Sequence, residues 1–260
     1  MSKKNYFKTI LGSIFGRPSV KLDPHNVNYQ EALSFFKNKH EQYKKSVSVL
    51  SKFVTPEDDF IDVGANIGYF SLEYMSRIGF KGRGYLFEPV SNLARLCDTT
   101  FMELHFDVMI NNFALGDMNG TTIIYTAADG NIGWNTVVEG KISSGMKGTE
   151  IETRRFDSLN IELDTVGAIK IDVEGGEYQV LSGMLPVLER STRLPVLLIE
   201  VGWGQNHPFW DMELKVLNLI MDLGYTSLVP GGSKIDIDSI SETMDVLFVP
   251  DRLIHLCSTR

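Results

Sequence analysis

Cysteine is almost missing: Cys97 and Cys257 are the only two in 260 residues. They lie far apart and have no cysteine or histidine at metal-ligand spacing, which excludes a disulfide framework and a zinc site and makes a reduced, cytoplasmic setting the expectation. Histidine is also scarce, at five residues, and no ligand spacing is recognisable, so no metal is expected. Basic charge is in deficit. With 25 Lys and Arg against 33 Asp and Glu the net charge is −8, which argues against a broad nucleic-acid-binding face. No apolar run approaches the length of a transmembrane helix. The N-terminal stretch has Lys3, Lys4, Lys8 and Arg17 around Phe7, Ile10, Leu11, Ile14 and Phe15, but not the uninterrupted apolar core of a signal peptide. It reads as a packing arm or, alternatively, as a small amphipathic helix for a membrane surface or a partner.

What is present is organised around Asp58 to Leu72. Phe60-Ile61-Asp62-Val63 is a short apolar run with one acid, as in a buried parallel strand. Gly64 and Gly68 bracket a turn, and Tyr69 to Met75 opens a helix. Strand, glycine turn and helix in succession turn free backbone N–H groups toward a ligand. The spacing Asp-x-Gly-x-x-x-Gly differs from the Gly-x-Gly-x-x-Gly of dinucleotide sites. It places Asp62 at the strand tip, where it suits a cationic ligand. The next apolar run, Gly84 to Phe87, ends on Glu88-Pro89, 24 residues after Gly64. An acid there can accept both hydroxyls of a ribose.

In chain order, residues 18–27 read as a linker and Tyr29 to Val54 as helix-forming, stopped by Pro56. Ser91 to Leu104 is a second helix of the α/β unit and Val108 to Asn112 a third strand. The pattern then changes. Residues 117–156 are β-rich at both ends with a Gly-, Asn- and Ser-rich centre, read as an inserted β-hairpin or flap. Its stretch 127–148 is expected to be mobile and to close over the pocket, with Trp134 and Asn135 able to contact an acceptor. Strands at Val166 to Val173 and Pro195 to Val201 follow, with helices at Glu177 to Leu188 and Met212 to Leu223. Tyr225 to Val229 and Val246 to Val249 form an antiparallel edge pair. The organisation is thus an N-terminal helical extension, 1–55, and one doubly wound α/β domain, 56–260.

Four acids end strands on one sheet edge: Asp62, Glu88, Asp172 and Glu200. Ligands of open parallel sheets bind beyond the carboxyl ends of the strands, so this rim suits a positively charged, ribose-bearing ligand and proton removal from an acceptor. Asp172 and Glu174 are candidate bases, as are Glu200 and His207. Each has a plainer reading: Asp172 as a helix cap, Glu200 as a partner of Lys170 or Arg155, His207 as an ordinary loop residue.

Asp62-Val63-Gly64-Ala65-Asn66-Ile67-Gly68-Tyr69, Phe87-Glu88-Pro89, Asn112 to Asp117 and Lys170-Ile171-Asp172-Val173-Glu174-Gly175-Gly176-Glu177 together resemble the motif series of FkbM-type, class I S-adenosylmethionine-dependent methyltransferases. Gly176 stands where that family usually has alanine. The resemblance implies a Rossmann-like, seven-stranded, mostly parallel sheet with antiparallel last strands. It also implies methyl transfer from S-adenosyl-L-methionine, often to a hydroxyl of a sugar or natural product. Carried over, Gly64, Ala65, Asn66 and Gly68, with Asp62 and Tyr69 beside them, would take the methionine end. Glu88 with Pro89 would take the ribose, and Asn112, Phe113 and Ala114 the adenine. The acceptor is expected to be a small molecule, glycan or peptide. N-methylation of a peptide or amide, and a non-catalytic nucleoside-binding module, are the alternatives.

Overall fold

The computed structural model describes residues 23–37, 40–102, 104–126, 131–142, 145–202 and 204–258. The basic segment around Phe7 to Phe15 lies outside the described residues. The helix-forming stretch from Tyr29 is two helices, α1 (Tyr29–Lys37) and α2 (His40–Leu50). A reciprocal cap starts α1: Asn28 Oδ1 accepts from the Glu31 N–H, and Glu31 Oε2 accepts from the Asn28 N–H, both at 3.1 Å.

From there strand and helix alternate: β1 (Asp59–Val63), α3 (Tyr69–Ile78), β2 (Arg83–Phe87), α4 (Ser91–Met102) and β3 (Asp107–Asn111). A second group follows, β4 (Ala114–Gly116), β5 (Gly120–Thr126), β6 (Asn135–Thr136) and β7 (Lys147–Arg155). Alternation then resumes with β8 (Val166–Ile171), α5 (Glu177–Arg190), β9 (Val196–Val201), α6 (Trp210–Asp222), β10 (Tyr225–Leu228) and β11 (Met244–Pro250).

The main sheet has seven strands in the order β10-β11-β9-β8-β1-β2-β3. All pairings are parallel except those of β11, which runs antiparallel to both β9 and β10. The edge is therefore β10, and the one reversed strand lies a place inside it. Alternating side chains build two cores. Ile61, Ile169, Ile171 and Ile199 pack under α5 and α6, while Phe60, Ala168 and Leu198 pack with Val47, Leu50, Phe70 and Tyr74 from α2 and α3. The chain leaves β1 toward β2 and returns to β8 on its other side. That reversal of direction opens a crevice at the carboxyl ends of β1 and β8.

The insertion differs from a single hairpin. It is a four-stranded sheet, β4-β7-β5-β6, and it begins at Ala114 rather than at 117 because β4 pairs in parallel with the far end of β7. Its glycine-rich centre is also less bare than the sequence suggests. Ile132 and Val138 are 0% and 2% exposed, and the Thr136 hydroxyl donates to the Glu174 carbonyl at 2.7 Å. Residues 127–130 and 143–144, which the expectation of mobility also covers, lie outside the described residues.

Candidate active site

A cavity of about 600 Å³ opens at the crevice. Phe87, Phe113, Leu115 and Ile124 give it apolar walls, Gly64 and Asn66 line it from the β1–α3 turn, and Asn135 and Val137 from the insertion. Glu88 projects into it from the end of β2. Its two carboxylate oxygens accept the backbone N–H groups of Asn66 and Val90, each at 2.8 Å. Burial pushes the Glu88 carboxyl up to about 7, with those two N–H groups opposing the shift. Asn66 can present its N–H in this way because its backbone is left-handed, with φ of 51°.

Beside this cavity lie two smaller polar ones, of about 400 and 350 Å³. Register explains their chemistry. Asp62 on β1 is the cross-strand partner of Lys170 on β8. Two residues further on, Asp172 lies on the same face as Lys170. Glu200 on β9 is the cross-strand partner of Asp245 on β11. The Lys170 ammonium stands 3.4 Å from Asp62 Oδ1 and 3.2 Å from Asp172 Oδ2. Two flanking carboxylates outweigh burial and hold Lys170 protonated, whereas burial drives the Asp62 carboxyl up even with the ammonium beside it. Lys170 is thus a buried cation shared by two acids.

Asp172, Glu174 and Glu200 each bring one carboxylate oxygen within 4.8 Å of the others. The Glu200 carboxyl is pushed up to about 10, first by the Asp172 charge and then by burial. It therefore keeps its proton at neutral pH. Glu200 pairs with neither Lys170 nor Arg155: Lys170 is engaged as described, and Arg155 is bonded to Asp157 at 2.6 Å.

Several expected site residues sit elsewhere. Asp62 is 0% exposed and accepts a 2.5 Å hydrogen bond from Ser71, so it lies beneath the crevice and faces Lys170 rather than a ligand. Gly68 does not line the cavities. With φ of +76°, a Cβ there would come within 2.5 Å of Phe101 and 2.9 Å of Cys97 Sγ, so the glycine lets α3 start against α4. Gly64 does line the main cavity, but its hydrogen is also needed for close packing: a Cβ would lie 1.9 Å from the Asp172 carbonyl oxygen. Asn112 braces the loop after β2, its Nδ2 donating to the Glu88 and Pro89 carbonyls at 2.9 and 3.0 Å. His207 is 4% exposed and bonded through both ring nitrogens: Nδ1 accepts from the Phe209 N–H, which leaves Nε2 to donate to the Gly175 carbonyl. It supports the turn after β8 from behind and is not a base at the rim. Pro89, Phe113 and Ala114 do line the main cavity, and Ala65 and Tyr69 line its polar neighbour. Asn135 lines the main cavity and Trp134 does not.

Sequence reasoning passed over Tyr43, Asp245 and Gln179. Tyr43 reaches both polar cavities from α2. Its phenol is raised by burial and then by the Asp172 charge, which keeps it a hydrogen-bond donor. Asp245 lines the smaller cavity and accepts from Ser46 of α2 at 2.8 Å. Neither carries a local motif, since only tertiary packing brings them to the rim.

A reversed strand within an otherwise parallel sheet, a switch-point crevice and a carboxylate at the tip of the second strand define a Rossmann-like class I methyltransferase. Residues 62–227 match the methyltransferase FkbM domain, and the chain belongs to that family. No curated protein sequence matches it. Among solved structures, the chain is similar to a SAM-dependent methyltransferase from Aquifex aeolicus, at 14% identity over 86% of this chain and 98% of that one, with a TM-score of 0.43. The O-methyltransferase from Bacillus cereus in complex with SAH gives 12% identity over 95% and 90%, with a TM-score of 0.46. Precorrin-6y C5,15-methyltransferase from Geobacter metallireducens gives 14% over 79% and 87%, with a TM-score of 0.44.

The family is S-adenosylmethionine-dependent, and the main cavity fits such a group. Apolar walls suit a base, and the buried Glu88 carboxylate suits ribose hydroxyls. Asn135 Oδ1 and Gln179 Oε1 are buried acceptors with no hydrogen-bond partner among the described residues, ready for donors of a nucleoside. No helix among the described residues is long and apolar enough to cross a membrane.

Proposed function

We propose that the protein methylates a hydroxyl of a sugar, glycan or small natural product, with S-adenosylmethionine in the main cavity and Asp172 as proton acceptor. The observation that carries this reading is the position of Asp172, which lines the main cavity and both polar cavities. It stands at the junction of the space that fits the cofactor and the space left for an acceptor. Glu88 would hold the ribose hydroxyls, Phe113 and Ala114 would flank the base, and Gly64, Ala65 and Asn66 would line the methionine end. When bound, the cofactor supplies a methyl group on a positively charged sulfur.

The chain's own contribution is alignment and proton handling. Fixing both reactants in line is worth up to roughly 7–11 kcal/mol of barrier in favourable cases. Lys170 fixes the Asp172 carboxylate by the 3.2 Å contact, leaving its other oxygen for an acceptor hydroxyl. Glu200, proton-bearing at neutral pH, and Tyr43 would donate to the acceptor's remaining oxygens. The excess of carboxylates over the single ammonium in this chamber supports a second reading, an acceptor that carries an amine and is methylated on nitrogen.

Labelled cofactor incubated with glycan, lipid and peptide fractions tests the acceptor class. On the acceptor found, Asp172→Asn is expected to lose about 10²–10⁴-fold in turnover while S-adenosylhomocysteine affinity stays within about threefold. Near-normal turnover would remove Asp172 from the base role. Loss of wild-type turnover in chelator, restored by Mg²⁺ or Mn²⁺, would make Asp172, Glu174 and Glu200 metal ligands instead.

A further inference from the structure

We propose that the methyl acceptor sits in the smaller polar cavity as a single hydroxylated ring, selected there by Tyr43 and Asp245, an assignment that rests on the methyl-transfer reading above. Both residues lie outside the matched domain of residues 62–227, Tyr43 on α2 and Asp245 on β11. α2 is nevertheless built into the fold. Val47 and Leu50 are fully buried in the core, and the Ser46 hydroxyl ties the helix to Asp245 at 2.8 Å.

A wall divides the two polar cavities. Tyr43, Phe70, Lys170 and Asp172 are the residues common to both, and they form a chain of contacts. The Tyr43 and Phe70 rings meet edge to face, with centroids 5.5 Å apart. The Lys170 ammonium lies 5.5 Å from the Phe70 ring centre and 3.2 Å from Asp172. On one side of this wall Gly64, Ala65 and Asn66 line the space read above as the methionine end. On the other stand Ile171, Leu198, Glu200 and Asp245, none of which lines the main cavity. Among the described residues Asp172 alone lines all three cavities, so cofactor and acceptor meet beside it.

The chamber beyond the wall measures about 350 Å³, near the lower end of ligand-pocket sizes, which is room for one ring rather than a chain. Ile171 and Leu198 give it an apolar floor, and Tyr43 and Phe70 give it aromatic sides. Asp172, Glu200, Asp245 and the Tyr43 hydroxyl supply a polar edge. A ring with an apolar face and hydroxyls around its rim matches both, whereas an alkyl chain would leave the carboxyl groups without partners. No hydrogen bond among the described residues uses the Tyr43 hydroxyl. Burial and the Asp172 charge keep that phenol protonated, so it donates to a ring oxygen where the carboxylates accept from hydroxyls.

Tritium-labelled S-adenosylmethionine incubated with glycan, lipid and peptide fractions, with Tyr43→Phe and Asp245→Asn beside the wild type, tests the chamber. Label is expected in the glycan fraction. Each variant should need about 5–50-fold more of that fraction for half-maximal turnover, the loss of one buried hydrogen bond to the acceptor. The maximal rate should fall by less than about threefold, because the contact is made before and during the reaction alike. Calorimetry should find S-adenosylhomocysteine affinity within about threefold of the wild type in both variants, which also reports that they are folded. Label taken only by the lipid or peptide fraction, or half-saturation unchanged in either variant, would overturn the proposal. So would a tenfold loss of S-adenosylhomocysteine affinity in Tyr43→Phe, which would put the phenol at the cofactor instead. A wild type that binds S-adenosylhomocysteine and labels no fraction would overturn the methyl-transfer reading beneath, a distinct result.

Discussion

Replacing Lys170 by methionine removes the cation but keeps the length of the side chain, and the cost can be worked out from what remains. Asp62 is 0% exposed, and its only other polar partner among the described residues is the Ser71 hydroxyl. An isolated carboxylate in that position must take up a proton to stay buried. Asp172, with a side chain 26% exposed, can remain hydrated. An unfolded aspartate titrates near 4, so protonating Asp62 at pH 7 costs at most about 3 pH units at about 1.4 kcal/mol each, an upper bound of roughly 4 kcal/mol because burial already raises this carboxyl in the wild type. That agrees with the about 3–5 kcal/mol typical of breaking one partner out of a buried pair. For a chain of this size it corresponds to a melting point lower by at most roughly 8–16 °C. The sign is fixed by linkage. In the variant the folded-state pKa of Asp62 lies above its unfolded value, so the deficit is small at low pH and grows as pH rises, from at most about 1.5 kcal/mol at pH 5 to at most about 4 at pH 7. Urea denaturation followed by circular dichroism at those two pH values measures it. The double variant Asp62→Asn/Lys170→Met should recover most of the loss, because asparagine needs no counter-charge. Wild-type stability in Lys170→Met at pH 7, an equal loss at both pH values, or no recovery in the double variant would refute the argument.

Glu88 gives a second pH signature. With its carboxyl at about 7 in the free protein, and with ribose hydroxyls donating to the ionised form, S-adenosylhomocysteine affinity should rise between pH 6 and 8 in the wild type and stay flat in Glu88→Gln. Parallel profiles in calorimetry would show that Glu88 does not bind the ribose. Glu200 is a carboxyl raised by the fold, so its contribution to stability is complete below its unfolded pKa and is lost as pH rises toward about 10. Glu200→Gln should therefore melt higher than the wild type at pH 9 and match it more closely at pH 5, as scanning calorimetry would show. A lower melting point for the variant at both pH values would contradict a buried, proton-bearing Glu200.

The parts legible in the sequence were those encoded locally. The turn from Val63 to Tyr69, the acid after Phe87 and the run from Lys170 to Glu177 each carry strand, turn and helix start within a few residues. They suffice for the strand–turn–helix units at those places and for the edge where ligands bind, while the seven-stranded sheet was what the family resemblance implied. Register was not legible. Nothing near Asp62 reveals that it lies opposite Lys170, and nothing near Glu200 reveals Asp245. An acid that reads as a ligand contact is thereby a buried ion-pair partner. His207 misled for a related reason: a histidine in a glycine- and proline-rich loop resembles an exposed base, but backbone groups of Phe209 and Gly175 take both nitrogens. The insertion was under-read because β4 and β7 pair across more than thirty intervening residues, which no local period records.

The position of β11 has a consequence for how the chain is made. Synthesis delivers β10 before β11, yet among the described residues β10 is paired into the sheet only through β11. Until residues 244–250 leave the ribosome, β9 keeps an unpaired edge and β10 has no strand to pair with. The Val196–Val201 strand is almost wholly apolar, and an apolar strand with an open edge is the kind of surface on which nascent chains pair with one another. The last strand thus works as a keystone, and a chain ending before Met244 should accumulate as aggregate rather than as a smaller folded enzyme.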